Sequence, residues 1–347
     1  MTIEALIFYV WLVAAAAFVI WRMLTSPITE VHDAVMNDDI EAVRLYLAKG
    51  ANADIKKGQG VTPLCLLSDT TGNKEIAELL IAKGADVNEG IDKEDGVNPL
   101  LSAAINNHLE LVEFLIASGA RIGLHFAVLK GDINTVRNYL EQGISINTKR
   151  NRGMTPLHLA ALGNHKKIAE LLIEYGADIN FYTPASETPL HQGVRRNHRK
   201  VVELLIDRGA DLNRIGKIGT PLHLAVSNNN REMVKFLIRK GADINKLEGS
   251  VPSPLHLAAE KGYLDIAELL IASGVQVNVS KQPPDETPLH YATRKGHLEM
   301  TELLISHGAD VNSRSLFGVT PLSNAKSYPE ITALLLNNGA TDYGLVD

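Results

Sequence analysis

Thr155-Pro156-Leu157-His158-Leu159-Ala160-Ala161 reads as the start of a helix. The threonine caps a helix N-terminus, and proline suits the first helical position because the amide hydrogen it lacks has no partner there. The apolar residues that follow open a short first helix of about two turns, ending near Gly163. Lys166 to Tyr175 (KKIAELLIEY) then places Ile168, Leu171 and Leu172 at i, i+3 and i+4, the spacing of a second helix with one buried stripe. Gly176 stops that helix, and Ala177-Asp178-Ile179-Asn180 begins a turn-rich connection.

The stretch returns along the chain. Thr188-Pro189-Leu190-His191, Thr220-Pro221-Leu222-His223, Ser253-Pro254-Leu255-His256 and Thr287-Pro288-Leu289-His290 repeat it. Weaker copies stand at Thr62-Pro63-Leu64, Asn98-Pro99-Leu100 and Thr320-Pro321-Leu322. Two copies, Thr29-Glu30-Val31-His32 and Ile122-Gly123-Leu124-His125, lack the proline. With the proline position as anchor, the units fall at 30, 63, 99, 123, 156, 189, 221, 254, 288 and 321. The spacings are 33, 36, 24, 33, 33, 32, 33, 34 and 33 residues. Ten units therefore tile residues 28–347, with boundaries expected at 28–60, 61–96, 97–120, 121–153, 154–186, 187–218, 219–251, 252–285, 286–318 and 319–347.

A pair of short helices cannot bury its own apolar face, so neighbouring units must stack to make a core. The period, with its T-P-L-H-x-A signature, resembles the ankyrin repeat over everything after the first 27 residues. That resemblance implies an all-α solenoid in which each antiparallel helix pair is followed by a projecting β-hairpin finger. It also implies a protein that binds other proteins through its finger tips and the concave row of first helices.

Departures from the period carry information. Gly123, the next anchor, comes four places after Gly119, against the thirteen places from Gly176 to Pro189 that are usual in the other connections. That leaves no room for a finger between units three and four, and Ile122 is a residue that cannot cap a helix through its side chain. A missing finger is expected there, with a kink dividing three units from seven. In the last unit Pro329 is placed to start the second helix.

The N-terminus poses a separate question. Ala5 to Trp21 (ALIFYVWLVAAAAFVIW) is an uncharged stretch between Glu4 and Arg22. Residues 3–24 fit a single transmembrane helix, with Trp21 and Arg22 as an interfacial anchor. Arg22 follows the span and no basic side chain precedes it, so the positive-inside rule puts the array in the cytoplasm. The rival is a cleaved signal peptide of residues 1–17, with Ala15 and Ala17 as its small-residue cleavage site, which would make the protein an exported one acting on an external or host target.

Catalytic chemistry finds little footing. Cys65 is the single cysteine, which excludes an intrachain disulfide framework and a cysteine-built metal site. Seven of the twelve histidines (His32, His125, His158, His191, His223, His256 and His290) sit two places after an anchor, and four more (His108, His165, His198 and His297) nine places after one. The resemblance implies that the first column bonds to the capping threonine. No HExxH, GxSxG, P-loop or GxGxxG motif is present. No enzyme activity, cofactor, metal or small-molecule substrate is expected. Net charge is −6, so no global field draws nucleic acid. Asn278-Val279-Ser280 matches a glycosylation acceptor, a cheap match.

Binding to a protein partner is the better expectation. Unit six, Thr188 to Gly219, holds seven basic side chains against three acidic ones, a local charge of +4 in an acidic chain. Its Arg195, Arg196, Arg199, Lys200, Arg214 and Lys217 are candidate contacts for an acidic partner. Phe181 and Tyr182 in one finger are apolar candidates, with Leu316 and Phe317 as a later pair. For each the competing reading is structural: a solvated charged face, or packing against the next finger.

Overall fold

The computed structural model describes residues 27–58, 60–90, 98–150, 152–246, 251–280 and 285–341. The expected membrane segment, 3–24, lies outside them. Among the described residues no helix is long and apolar enough to cross a membrane.

Capped prolines and terminal glycines produce the expected pairs of short helices. The chain forms two compact units, Met1–Pro156 and Leu157–Asp347. In the first, the pairs are α1 (Pro27–Met36) with α2 (Ile40–Ala48), α3 (Pro63–Asp69) with α4 (Lys74–Ala82), α5 (Pro99–Ile105) with α6 (Leu109–Ala117), and α7 (Leu124–Lys130) with α8 (Ile133–Glu141). The second begins within α9 (Pro156–Leu162), paired with α10 (Lys166–Glu174). It continues with α11 (Pro189–Arg195) and α12 (Arg199–Asp207), α13 (Pro221–Ser227) and α14 (Arg231–Arg239), and α15 (Pro254–Lys261) and α16 (Leu264–Ala272). The last pairs are α17 (Pro288–Lys295) with α18 (Leu298–Ser306) and α19 (Pro321–Asn324) with α20 (Pro329–Asn337). Pro329 does start the final helix.

Within each unit, first helices pack on first helices and second on second. This interleaving buries Leu64, Leu80, Leu100 and Leu115 in the first unit, and Leu157, Leu172, Leu190 and Leu205 in the second. Each such leucine removes apolar surface from water, contributing roughly 1.5–3 kcal/mol. The glycine that closes each second helix, Gly176 in the clearest repeat, takes a left-handed φ of 90° that a Cβ would strain.

Fingers are shorter in secondary structure than the hairpins expected of them. Among the described residues they are closed by single bridges, Lys57 to Val61 and Arg150 to Met154, or by one turn bond such as Ser315 N–H to the Val319 carbonyl at 2.9 Å. Between α6 and α7 there are only residues 118–123, and no finger forms. Helix α7 starts one residue later than its relatives, with Gly123 as an N-cap that offers no side-chain acceptor.

The expected division after three units is not where the chain parts. The compact-unit boundary lies after repeat four, and the stack continues across the missing finger. Helices α5 and α7 still pack together. Asn88 of repeat two clamps the end of α6, its amide donating to the Gly119 carbonyl (3.2 Å) and its carbonyl accepting from Arg121 N–H (2.7 Å).

Candidate interaction surface

Two polar columns hold neighbouring repeats in register and thereby fix what the array presents. The first is the histidine column. At the start of α11, Thr188 N–H donates to His191 Nδ1 (3.2 Å), so that nitrogen is unprotonated and Nε2 carries the hydrogen. Nε2 then donates to the Gly219 carbonyl at the base of the next finger, 3.2 Å away. The pattern recurs where Thr220 meets His223 and Thr287 meets His290, reaching the Pro252 carbonyl (2.8 Å) and the Val319 carbonyl (3.0 Å). His32, His125, His158 and His256 make the same reach, to the carbonyls of Val61, Thr148, Glu187 and Glu286.

Burial disfavours the imidazolium, and His125, His158 and His223 are each pushed down to about 4. His191 and His290 are lowered for the same reason. These rings are neutral structural ties. In the outer column, His198 Nδ1 bonds the Ala161 carbonyl (2.9 Å) and His297 Nε2 the Glu260 carbonyl (3.1 Å).

The second column was not anticipated from the sequence. Asn180 donates to the Gly209 carbonyl (3.3 Å) and accepts from Asp211 N–H (2.8 Å), clamping the next repeat's helix end. Asn278 and Asn312 make the same double contact three and four repeats further on. Asn213 and Asn245 accept from Asp243 N–H and Gln276 N–H, both at 2.9 Å. The glycosylation match at Asn278 is thus a structural amide already in use. Its signal in the sequence was the asparagine four places after seven of the ten closing glycines.

The candidate contacts of repeat six separate into two clusters at opposite ends of α11, about 10 Å apart by helical rise. At the finger end, Tyr182 is 55% exposed and the Arg214 guanidinium lies 4.5 Å from its ring centroid. Lys217 is exposed beside them in the next finger. Phe181 is half-buried, edge-on to His158 with ring centroids 6.4 Å apart, so it serves packing more than presentation. At the other end, Arg196 and Lys200 are exposed, whereas Arg199 stacks on Phe236 with its guanidinium carbon 3.4 Å from the ring centroid.

Arg195 joins the clusters. It pairs with Glu187 at the finger base, and Gln192 donates to the same carboxylate at 2.9 Å. Repeat nine has the same device, Arg294 on Glu286 at 2.5 Å with Tyr291 beneath the guanidinium at 4.6 Å. In the last finger, Leu316 and Phe317 are 62% and 74% exposed.

Cys65 is buried in a first-column position, and burial pushes its thiol up to about 11, far from nucleophilic. Among the described residues no three His, Cys, Asp or Glu side chains converge in a way that could hold a metal ion.

A family model described as ankyrin repeats (three copies) matches residues 31–123, 124–216, 215–281 and 255–347. The chain belongs to the ankyrin-repeat family. This ankyrin-repeat protein is 28% identical over 149 residues to human transient receptor potential cation channel subfamily A member 1, a match covering 38% of this chain and 13% of the channel. It is 48% identical over 54 residues to the mouse fibronectin type 3 and ankyrin repeat domains 1 protein, covering 16% of this chain and 15% of that one. The matched part is thus a small fraction of either relative's length. Among solved structures, the human ASB11 ankyrin repeat domain superposes with a TM-score of 0.54 at 28% identity, covering 64% of this chain and 99% of that domain. The ankyrin repeat domain of Bcl-3 gives 0.57 at 29% identity, covering 62% and 98%.

Proposed function

We propose that this chain is a non-enzymatic scaffold that holds an acidic protein partner at a membrane. Ankyrin arrays are interaction modules whose stacked repeats build extended concave surfaces. The observation that carries the partner's chemistry is repeat six, where Arg196, Lys200 and Lys217 are exposed in a chain of net charge −6. The Tyr182–Arg214 pair at the finger end adds an aromatic anchor beside a guanidinium. Arg195 and Arg199, each engaged within the protein, act as supports that fix where their exposed neighbours stand. A complementary acidic face gains mostly in encounter rate and register from such a patch.

Membrane attachment rests on the uncharged stretch Ala5 to Trp21 ahead of Arg22. The segment from Thr25 to Ile28 is short, so an anchor would hold the array against the bilayer with the array on the cytoplasmic side. Tethering raises the array's effective concentration toward other membrane-bound partners without any new contact. The second reading, export after cleavage near Ala17, draws on the small residues Ala15 and Ala17.

One experiment tests both parts. The full chain is expressed and fractionated, the intact mass of each pool is measured, and partners are captured with the parent and with the pair Arg196→Glu and Lys200→Glu. Full-length protein in the carbonate-resistant membrane pool, losing an acidic partner on charge reversal, is the expected result. A secreted form lacking residues 1–17 would replace the anchor with export, and capture indifferent to the reversal would remove repeat six as the docking surface.

A further inference from the structure

In repeats five, six and seven the turn between the two helices places an asparagine in the left-handed region: Asn164, Asn197 and Asn229, with φ of 60°, 57° and 53°. All three are exposed. The turn itself does not require an amide, since Gly262 and Gly296 make it in the next two repeats. Among the described residues none of the three carboxamides has a hydrogen-bond partner within the protein. The turns are also fixed relative to one another. His198 Nδ1–H donates to the Ala161 carbonyl (2.9 Å), tying the turn of repeat six to α9. Asn228 donates through its amide to the Arg195 carbonyl (3.2 Å), tying the turn of repeat seven to the end of α11. A surface held in this way loses little freedom when a ligand settles on it.

Cations stand beside the amides. Lys167 and Lys200 occupy the same place in neighbouring repeats, the second residue of α10 and of α12, and Arg196 caps the C-terminus of α11. All three are exposed, and none has an ionic partner among the described residues. The other cations of these turns are engaged: Lys166 with Glu170 at 3.6 Å, Arg231 with Glu232 at 3.6 Å, and Arg199 on the Phe236 ring. Glu232 is the one carboxylate in residues 163–167, 196–200 and 228–232, and Arg231 pairs with it. The edge is therefore a row of open amides flanked by uncompensated positive charge.

We infer that these turns receive an extended segment of the acidic partner, with two carboxylates three residues apart. The inference rests on the acidic-partner reading given above and supplies the partner's conformation and spacing. Packed helices stand about 8–10 Å apart, and an extended residue advances about 3.3 Å, so one repeat corresponds to about three residues. Lys167 meets one carboxylate, and Arg196 with Lys200 meets the next through charge-assisted hydrogen bonds. Asn164, Asn197 and Asn229 bond the peptide groups between and beyond them. An extended chain has those groups unpaired, whereas a helix spends them internally, and this decides the occupant's conformation.

The probe is a fluorescein-labelled peptide, Gly-Glu-Ser-Thr-Glu-Ser-Thr-Gly, titrated with the full chain and read by fluorescence polarisation. Its control has the same composition with the two Glu adjacent, Gly-Ser-Glu-Glu-Thr-Ser-Thr-Gly. Saturable binding of the first is expected, with the control about tenfold weaker. Asn164→Gly, Asn197→Gly and Asn229→Gly together should also weaken binding about tenfold. That variant keeps its melting temperature, because glycine suits a left-handed turn and already makes it in repeats eight and nine. Lys167→Glu should give a similar loss from the neighbouring repeat. Equal affinity for the two peptides, or undiminished binding by the triple glycine variant, overturns the inference. If Arg196→Glu with Lys200→Glu still abolishes binding in that case, the acidic-partner reading survives without the extended register. No saturation up to about 1 mM protein, or binding indifferent to that charge reversal, removes both.

Discussion

The two compact units are built from one repeat and differ in how strictly they keep it. The second carries its tying histidine in five consecutive repeats, at 158, 191, 223, 256 and 290. The first carries it at 32 and 125 but has Cys65 and Leu101 at the corresponding places. In the second unit each of these rings joins a helix start to the base of the next finger. In the first, the repeat that has lost its finger has also lost its histidine, and an arginine brace from Arg152 to Asp69 spans the place instead. At Leu101 the loss of the histidine accompanies the loss of the finger, whereas Cys65 replaces it before a full-length connection, Gly84 to Pro99, so the two exchanges have different settings. A finger carbonyl makes a buried imidazole worthwhile, and without one an apolar side chain fills the same space.

Acid should break the comparison most strongly. His125, His158 and His223 have folded values of about 4, well below the ordinary value near 6.5, so each takes up its proton more readily once unfolded. The stability each lends is whole above pH 6.5 and is lost as pH falls toward 4. Between pH 7 and 5, above the range where most carboxylates titrate, that is roughly 2 kcal/mol per ring. The second unit has two such rings, with His191 and His290 lowered as well; the first has His125. Hydrogen exchange at pH 7 and pH 5 should therefore show protection falling by about 4 kcal/mol or more in residues 157–341 and by about half that in the first unit. Equal losses in the two units would remove the histidine column as the source of the difference.

Core leucines are the control that should not distinguish the units. Leu172 and Leu115 are both fully buried on second helices. Replacing either with alanine should cost about 2–5 kcal/mol in denaturant titrations, since the stacked faces cannot close over the lost volume. A loss confined to one unit would mean that the two are packed to different densities.

Much of this architecture could be read from residues in a row. The capping residue, the proline, the apolar spacing and the closing glycine act within one repeat, so the helix pairs and the missing finger were legible. The asparagine column was not, because Asn180 gains its meaning from Gly209 and Asp211 about one repeat away. The same distance hid the roles of the basic side chains. Arg195 and Arg199 look like exposed charge in the sequence, and only packing reveals Glu187 and Phe236 as their neighbours.

An exchange of the two column residues sharpens the comparison directly. His191→Leu strands the Thr188 N–H and leaves the Gly219 carbonyl only its bond from Gly216 N–H, and should cost about 1–3 kcal/mol by thermal or chemical melting. Leu101→His should cost a similar amount for the opposite reason, because the new Nε2–H is buried opposite a finger that is absent. If Leu101→His were neutral, the coupling between finger and histidine would be wrong. The asparagine column gives a smaller version of the same test. Asn180→Ala removes two hydrogen bonds at a partly wet surface, and about 1–2 kcal/mol is expected.

The smallest expected effect on stability is the most informative about use. Arg196 is exposed at the C-cap of α11, so Arg196→Ala should move the melting free energy by no more than about 0.5 kcal/mol. Arg195→Ala, one residue earlier, breaks the pair with Glu187, a carboxylate whose side chain is only 11% exposed, and should cost more. The two neighbours thus separate support from contact. Partner capture that falls with Arg196→Ala while melting stays fixed places the partner at the exposed guanidinium. Capture that falls only with Arg195→Ala, in step with stability, would mean that repeat six matters as a folded support and that the partner docks elsewhere on the array.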